Sequence, residues 1–119
     1  VKNQNQSSKM FNFLTLPNIY DTNQTKNFTT KLLIYGDMGM DGGAPSLPLI
    51  IKEINHGDTQ YQDIIHIGDF AYDLRDQGGV RGDNFFDRIE EIAAYVPYMT
   101  CAGNHEIEDD SFSNYQNRF

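Results

Sequence analysis

Asp63-Ile64-Ile65-His66-Ile67-Gly68-Asp69-Phe70-Ala71-Tyr72 is the stretch from which the fold of this chain is read. Its apolar, β-branched run predicts a strand, and the run breaks at a glycine followed at once by a carboxylate. The same pattern occurs on either side. Upstream, Lys31-Leu32-Leu33-Ile34-Tyr35 leads into Gly36-Asp37-Met38-Gly39. Downstream, Tyr98-Met99-Thr100-Cys101 leads, after Ala102, into Gly103-Asn104-His105-Glu106. Asp37 and Asp69 are 32 residues apart, and Asp69 and Asn104 are 35 apart. That is about one β-α-β repeat each, roughly 30 residues or more. Three parallel strands would therefore deliver Asp37, Asp69 and Asn104 to the carboxyl edge of one sheet, where open α/β sheets bind ligands.

The segments between the strands read as helices. Ser46 is the expected N-cap of one, with Leu47, Ile50, Ile51 and Ile54 at helical spacing and His56-Gly57-Asp58 at its end. Asp83 is the expected cap of a second, with Phe85, Ile89, Ile92 and Val96 on one face and Pro97 as its stop. The prediction is an α/β fold of β-α-β-α-β units, its parallel sheet covered on both faces. Before this region the chain reads differently. Residues 1–9 are polar, Met10–Leu16 alternates as a short strand ended by Pro17, and the stretch up to Asn27 is a linker. The expected division is 1–17 as the end of a preceding domain, 18–28 as linker and 29–119 as the α/β domain.

Bulk properties narrow the possibilities. Nine Lys and Arg against seventeen Asp and Glu leave a net charge of −8, which speaks against a nucleic-acid partner. No apolar run approaches the roughly 18 residues of a membrane span. A hydrophobic content of 39% is enough for the core of one small domain. Cys101 is the single cysteine, so no disulfide framework exists, and its place after a strand predicts a buried thiol.

Three such phrases in register are the layout of a metal site built for phosphate chemistry. A glycine before each ligand lets the chain turn and approach an ion closely. Asp69, between the other two, has two carboxylate oxygens and can bridge two ions. Tyr72 lies three residues beyond it, and oxygen-rich ligation by Asp37, Asp69 and Tyr72 suits a hard ion such as Fe(III). Asn104 offers an amide oxygen to a divalent neighbour. His105 is expected to face substrate and protonate a leaving alkoxide, with Glu106 holding it in orientation. His66, inside a strand, reads as a core or second-layer residue and His56 as a solvated helix end. Asp73, Asp76 and Asp83 read as loop and cap acids, and Glu108-Asp109-Asp110 as a solvated run.

On these residues the chain resembles the purple acid phosphatases, a branch of the calcineurin-like metallophosphoesterases, from about Lys31 to Phe119. Asn114-Tyr115 and Asn117-Arg118-Phe119 also read like that family. Other metallophosphoesterases place a metal-binding His two residues after the first Asp, where this chain has Met38-Gly39. Protein Ser/Thr phosphatases carry Asp-Arg-Gly where this chain has Tyr72. Both departures mark the purple type. The resemblance implies Fe(III) on Asp37, Asp69 and Tyr72, with Zn(II), Mn(II) or Fe(II) on Asp69 and Asn104. It implies His105 as a substrate-contacting catalytic residue, and hydrolysis of phosphate monoesters by metal-bound hydroxide. The implied fold is part of an αββα sandwich, and Met10–Pro17 resembles the last strand of a fibronectin-III-like domain.

The family's later motifs, one with a His and one Gly-His-x-His, have no counterpart among the three histidines. The chain is therefore expected to carry, over 29–119, only the N-terminal half of the metallophosphoesterase domain of a longer protein, and to be inactive alone. The competing expectation is a non-catalytic, secreted glycoprotein on the same scaffold. Asn5-Gln6-Ser7, Asn23-Gln24-Thr25 and Asn27-Phe28-Thr29 are glycosylation sequons. With the resemblance, they point to a secreted, lysosomal or endomembrane-lumen protein. The sequence leaves the oligomeric state open.

Overall fold

The computed structural model describes residues 9–18, 20–26, 28–40 and 45–119. The sequons at Asn5 and Asn27 fall wholly or partly outside them. In chain order the elements are α1 (Thr22–Thr25), β1 (Leu32–Tyr35), α2 (Ser46–His56), β2 (Asp63–His66), α3 (Val80–Ala93), β3 (Tyr98–Thr100) and α4 (Ser113–Arg118). Short 3₁₀ turns at Asp76–Gly79 and Asn104–Glu106 precede α3 and follow β3. The strands form one parallel sheet in the order β1-β2-β3, with Ile34 beside Ile65 and Ile65 beside Met99. β2 is central, so Asp69 leaves the sheet between the other two phrases.

The helix caps differ from the sequence reading. Pro45, at φ −66°, stands at the N-cap of α2 with no side-chain hydrogen bond, so Ser46 is already helical. Proline's fixed φ makes it a ready helix starter. α3 begins at Val80 after Gly79, whose φ of 95° turns the chain into the helix. Asp83 falls in its first turn and pairs with Arg118. The predicted apolar stripes hold: Leu47, Phe85, Ile89, Ile92 and Val96 are buried, and Ile50, Ile51 and Ile54 pack beside them.

Both stripes face the same side of the sheet, the side of Ile64 and His66. The opposite side, which the register assigns to Ile34, Ile65 and Met99, is bare among the described residues. Ile34 is 56% exposed and Met99 54%. The expected cover on both faces is therefore absent within the described residues. Cys101 shares the parity of Met99 and is exposed rather than buried. Met10–Leu16 forms no ladder with any described segment, and Phe11 lies edge-on to Tyr95 at 5.8 Å.

His66 faces the core. Its ring is 4.3 Å from that of Phe70 and 4.7 Å from that of Tyr35. Tyr35 donates to the Tyr98 hydroxyl at 2.9 Å, which leaves the Tyr98 proton free to meet His66 Nδ1 at 2.7 Å. Burial holds the His66 pKa down at about 4, against the opposing pull of Asp37 and Asp69. Burial also lifts Tyr35 to about 12 and raises Tyr98. The three groups are thus neutral together at pH 7.

This depression has a signed consequence for stability. The unfolded histidine titrates near 6.5, so between about 6.5 and 4 the unfolded state binds a proton that the folded state refuses. Stability should therefore fall as pH drops through that window, by about 3 kcal/mol from this group alone. Urea unfolding of wild type and His66→Phe at pH 7 and pH 5 measures it. Wild type is expected to lose more stability than the variant; equal losses would show that His66 contributes nothing.

Candidate active site

The three phrases meet at the carboxyl ends of the strands and are packed loop on loop. Asp37 N–H donates to Gly68 O at 3.1 Å, and Gly39 N–H to Phe70 O at 2.8 Å. Gly68 has φ 87°, and a Cβ there would lie 2.5 Å from Gly103 N and 2.6 Å from its Cα. A Cβ on Gly103 would fall onto Asp69 Oδ1. The glycines thus serve contact between neighbouring loops, whereas the sequence reading assigned them to an approach toward an ion. The left-handed backbone is carried largely by the functional residues: φ is 54° at Asp37, 54° at Asp69 and 46° at Tyr72. Such conformations at non-glycine residues are uncommon and cost on the order of 1 kcal/mol or more each.

This backbone brings the predicted side chains together. Tyr72 donates its hydroxyl proton to Asp37 Oδ1 at 2.9 Å. His105 N–H donates to Asp69 Oδ1 at 3.1 Å, and the His105 ring stands edge-on to Tyr72 at 4.4 Å. The Asn104 side chain opens the 3₁₀ turn in an exposed position. Hydrogen bonding to the Asp37 carboxylate, with some burial and the charges of Asp37, Asp69 and Glu106, lifts the Tyr72 phenol to about 12. Gly39 lies against the Tyr72 ring: its φ is 68°, and a Cβ there would be 3.4 Å from Cδ2. The ring therefore packs on the backbone of Gly39, where it is the positive φ rather than lack of space that favours glycine.

Two roles differ from the sequence reading. Glu106 does not hold His105. Only 1% exposed, it lies beneath the loops, out of reach of a substrate, and accepts backbone N–H groups from Asp69, Phe70 and Gly103. The partner of His105 is Asp73, read in sequence as a loop acid, with its Oδ1 2.9 Å from His105 Nδ1. That contact, foremost among the causes, raises the His105 pKa. Glu108, expected to be solvated, is buried and accepts from Ser113 and Asn114 at the start of α4. α4 is anchored in turn: Arg118 bonds Asp83 and Gly79 O, and Tyr115 and Phe119 pack on Phe70.

The donor set suits a hard cation. Two carboxylates, a phenol and an amide are all oxygen donors. Among the described residues no group of three His, Cys, Asp or Glu could hold an ion by itself.

A parallel sheet with its acidic and amide donors gathered beyond the strand ends is a metallophosphoesterase architecture, and sequence comparison agrees. Residues 30–119 match the calcineurin-like phosphoesterase family, and the chain belongs to it. It is 44% identical to acid phosphatase type 7 of Danio rerio over 112 residues, 94% of this chain and 23% of that protein. It is 35% identical over 96 residues to the probable inactive purple acid phosphatase 9 of Arabidopsis thaliana, covering 66% of this chain and 14% of that one. The purple acid phosphatase PPD1 from yellow lupin seeds superposes on 67% of this chain with a TM-score of 0.50 and 29% identity, over 16% of its own length. The chain thus spans about a quarter or less of these relatives.

Proposed function

We propose that this chain supplies part of the active site of an acid phosphatase of the purple type, which hydrolyses phosphate monoesters at a dinuclear metal centre. The observation that carries the reading is the convergence of Asp37, Asp69, Tyr72 and His105 at one sheet edge, linked at 2.9 Å and 3.1 Å. Asp37, Asp69 and Tyr72 would hold Fe(III), and Asp69 and Asn104 a divalent Zn, Mn or Fe. When bound, such ions supply Lewis acidity and an activated water. The protein's own part is positional. Asp69 leaves the central strand between the other two phrases, in place to serve both ions. His105, outside the ligand set and braced by Asp73, presents its ring beside Tyr72, where it can protonate a departing alkoxide. A secreted or lumenal location, with Asn23 as a glycosylated residue, belongs to the same proposal.

A non-catalytic protein on the same scaffold is the second reading, favoured by the plant relative named as probably inactive. Iron loading of the full-length protein separates the two. The acid phosphatase reading expects a visible phenolate-to-iron absorption band that disappears in Tyr72→Phe, together with hydrolysis of a phosphate monoester. A band that persists in Tyr72→Phe rejects the ligand assignment, and a full metal complement without hydrolysis favours the second reading.

A further inference from the structure

Glu106 makes the densest set of polar contacts at the site, although its side chain is sealed from solvent. Oε2 accepts Asp69 N–H at 2.9 Å and Gly103 N–H at 2.8 Å, and Oε1 accepts Phe70 N–H at 3.1 Å. Burying a carboxylate is unfavourable unless it is well hydrogen-bonded. Here the donors come from two different loops, the one after β2 and the one after β3. The exchange is reciprocal, because the Asp69 carboxylate accepts His105 N–H from the loop that carries Glu106. The bare glycines Gly68 and Gly103 let the two backbones touch between these crossed bonds.

Two of the donors stand at the proposed metal ligands: one is the amide of Asp69 itself, and the other precedes Asn104. We infer that Glu106 is a positioning residue which clamps the loops after β2 and β3 together and so sets the spacing between the Asp69 carboxylate and the Asn104 amide. The inference rests on the reading of these two residues as metal ligands. It assigns Glu106 no contact with substrate and no proton to move. Gln at this position keeps the shape, but its amide NH₂ must face at least one of the three backbone donors, which opens the clamp.

The test uses the full-length protein in metal-free form, wild type and Glu106→Gln. Hydrogen exchange resolved by residue is expected to be at least about tenfold faster at Asp69, Phe70 and Gly103 in the variant, with the amides of α3 unchanged, as in a local opening. Zinc alone, titrated by calorimetry, is expected to bind about 10–100-fold more weakly, the range for residues that orient metal ligands. Unchanged exchange at the three amides overturns the clamp. Faster exchange with unchanged zinc affinity overturns the positioning role and leaves Glu106 as a structural brace. Failure of the metal reading looks different, since wild type would then take up no zinc at all. Should Glu106→Gln not fold, Glu106→Asp keeps the charge, shortens the reach by one methylene and is expected to shift both readouts in the same direction.

Discussion

Replacing His105 by Asn in the full-length protein is expected to lower kcat toward a phosphate monoester by about 10²–10⁴-fold, the usual contribution of a general acid or base. Metal content should be unchanged on the proposed reading, in which the His105 ring lies outside the ligand set; its backbone N–H binds Asp69. The Asp73 contact makes this expectation more specific. The carboxylate 2.9 Å from Nδ1 raises the pKa of the imidazole, so a larger fraction is protonated at any given pH. Asp73→Asn removes that support. If His105 acts as the acid, the alkaline limb of the kcat/KM profile must move to lower pH in Asp73→Asn and vanish in His105→Asn. Steady-state profiles with an activated and an unactivated phosphate ester measure this, the effect being larger for the poorer leaving group. A profile of Asp73→Asn that overlays wild type would remove Asp73 from the mechanism.

Phe70→Ala is expected to destabilise the fold by about 3–5 kcal/mol, the range for emptying a large aromatic site. Phe70 has no exposed surface and its ring meets those of His66, Phe85, Tyr115 and Phe119. It is the residue immediately after Asp69, and its backbone also binds Gly39 and Glu106. Core and site are therefore joined at one position. Urea unfolding gives the loss, and Phe70→Leu, closer in volume, should recover most of it. A loss under about 1 kcal/mol for the alanine variant would mean that the aromatic cluster does not hold the loop.

The parts legible in sequence are those with a period or a repeated signal. The strands announced themselves as apolar runs, the helices as stripes at Leu47–Ile54 and Phe85–Val96, and the site as three glycine-led phrases in register. Periodicity identifies an element but says nothing about which sheet face a helix covers, so the interior place it suggests for Cys101 is not the one the thiol takes. Met10–Leu16 alternates like a strand, yet alternation alone supplies no neighbour to pair with. Asp73 takes the place beside His105 expected of Glu106 because loop direction is set by left-handed backbone at Asp69 and Tyr72. Aspartate tolerates that region without advertising it. The adjacency of His105 and Glu106 in sequence pointed to a partnership, but neighbouring residues of a 3₁₀ turn point apart. Asn114–Phe119 carried no periodic signal, and its function as an anchor on Phe70 appears only in three dimensions.

The left-handed backbone at Gly39 constrains how such a site can be converted into its relatives. A histidine at position 39 would have to place its Cβ at a φ of 68° against the aromatic ring. The backbone itself thus resists a side chain at position 39, whatever residue stands at position 72. For anyone redesigning metal preference here, a new ligand at position 39 calls for a rebuilt turn as well as a new side chain.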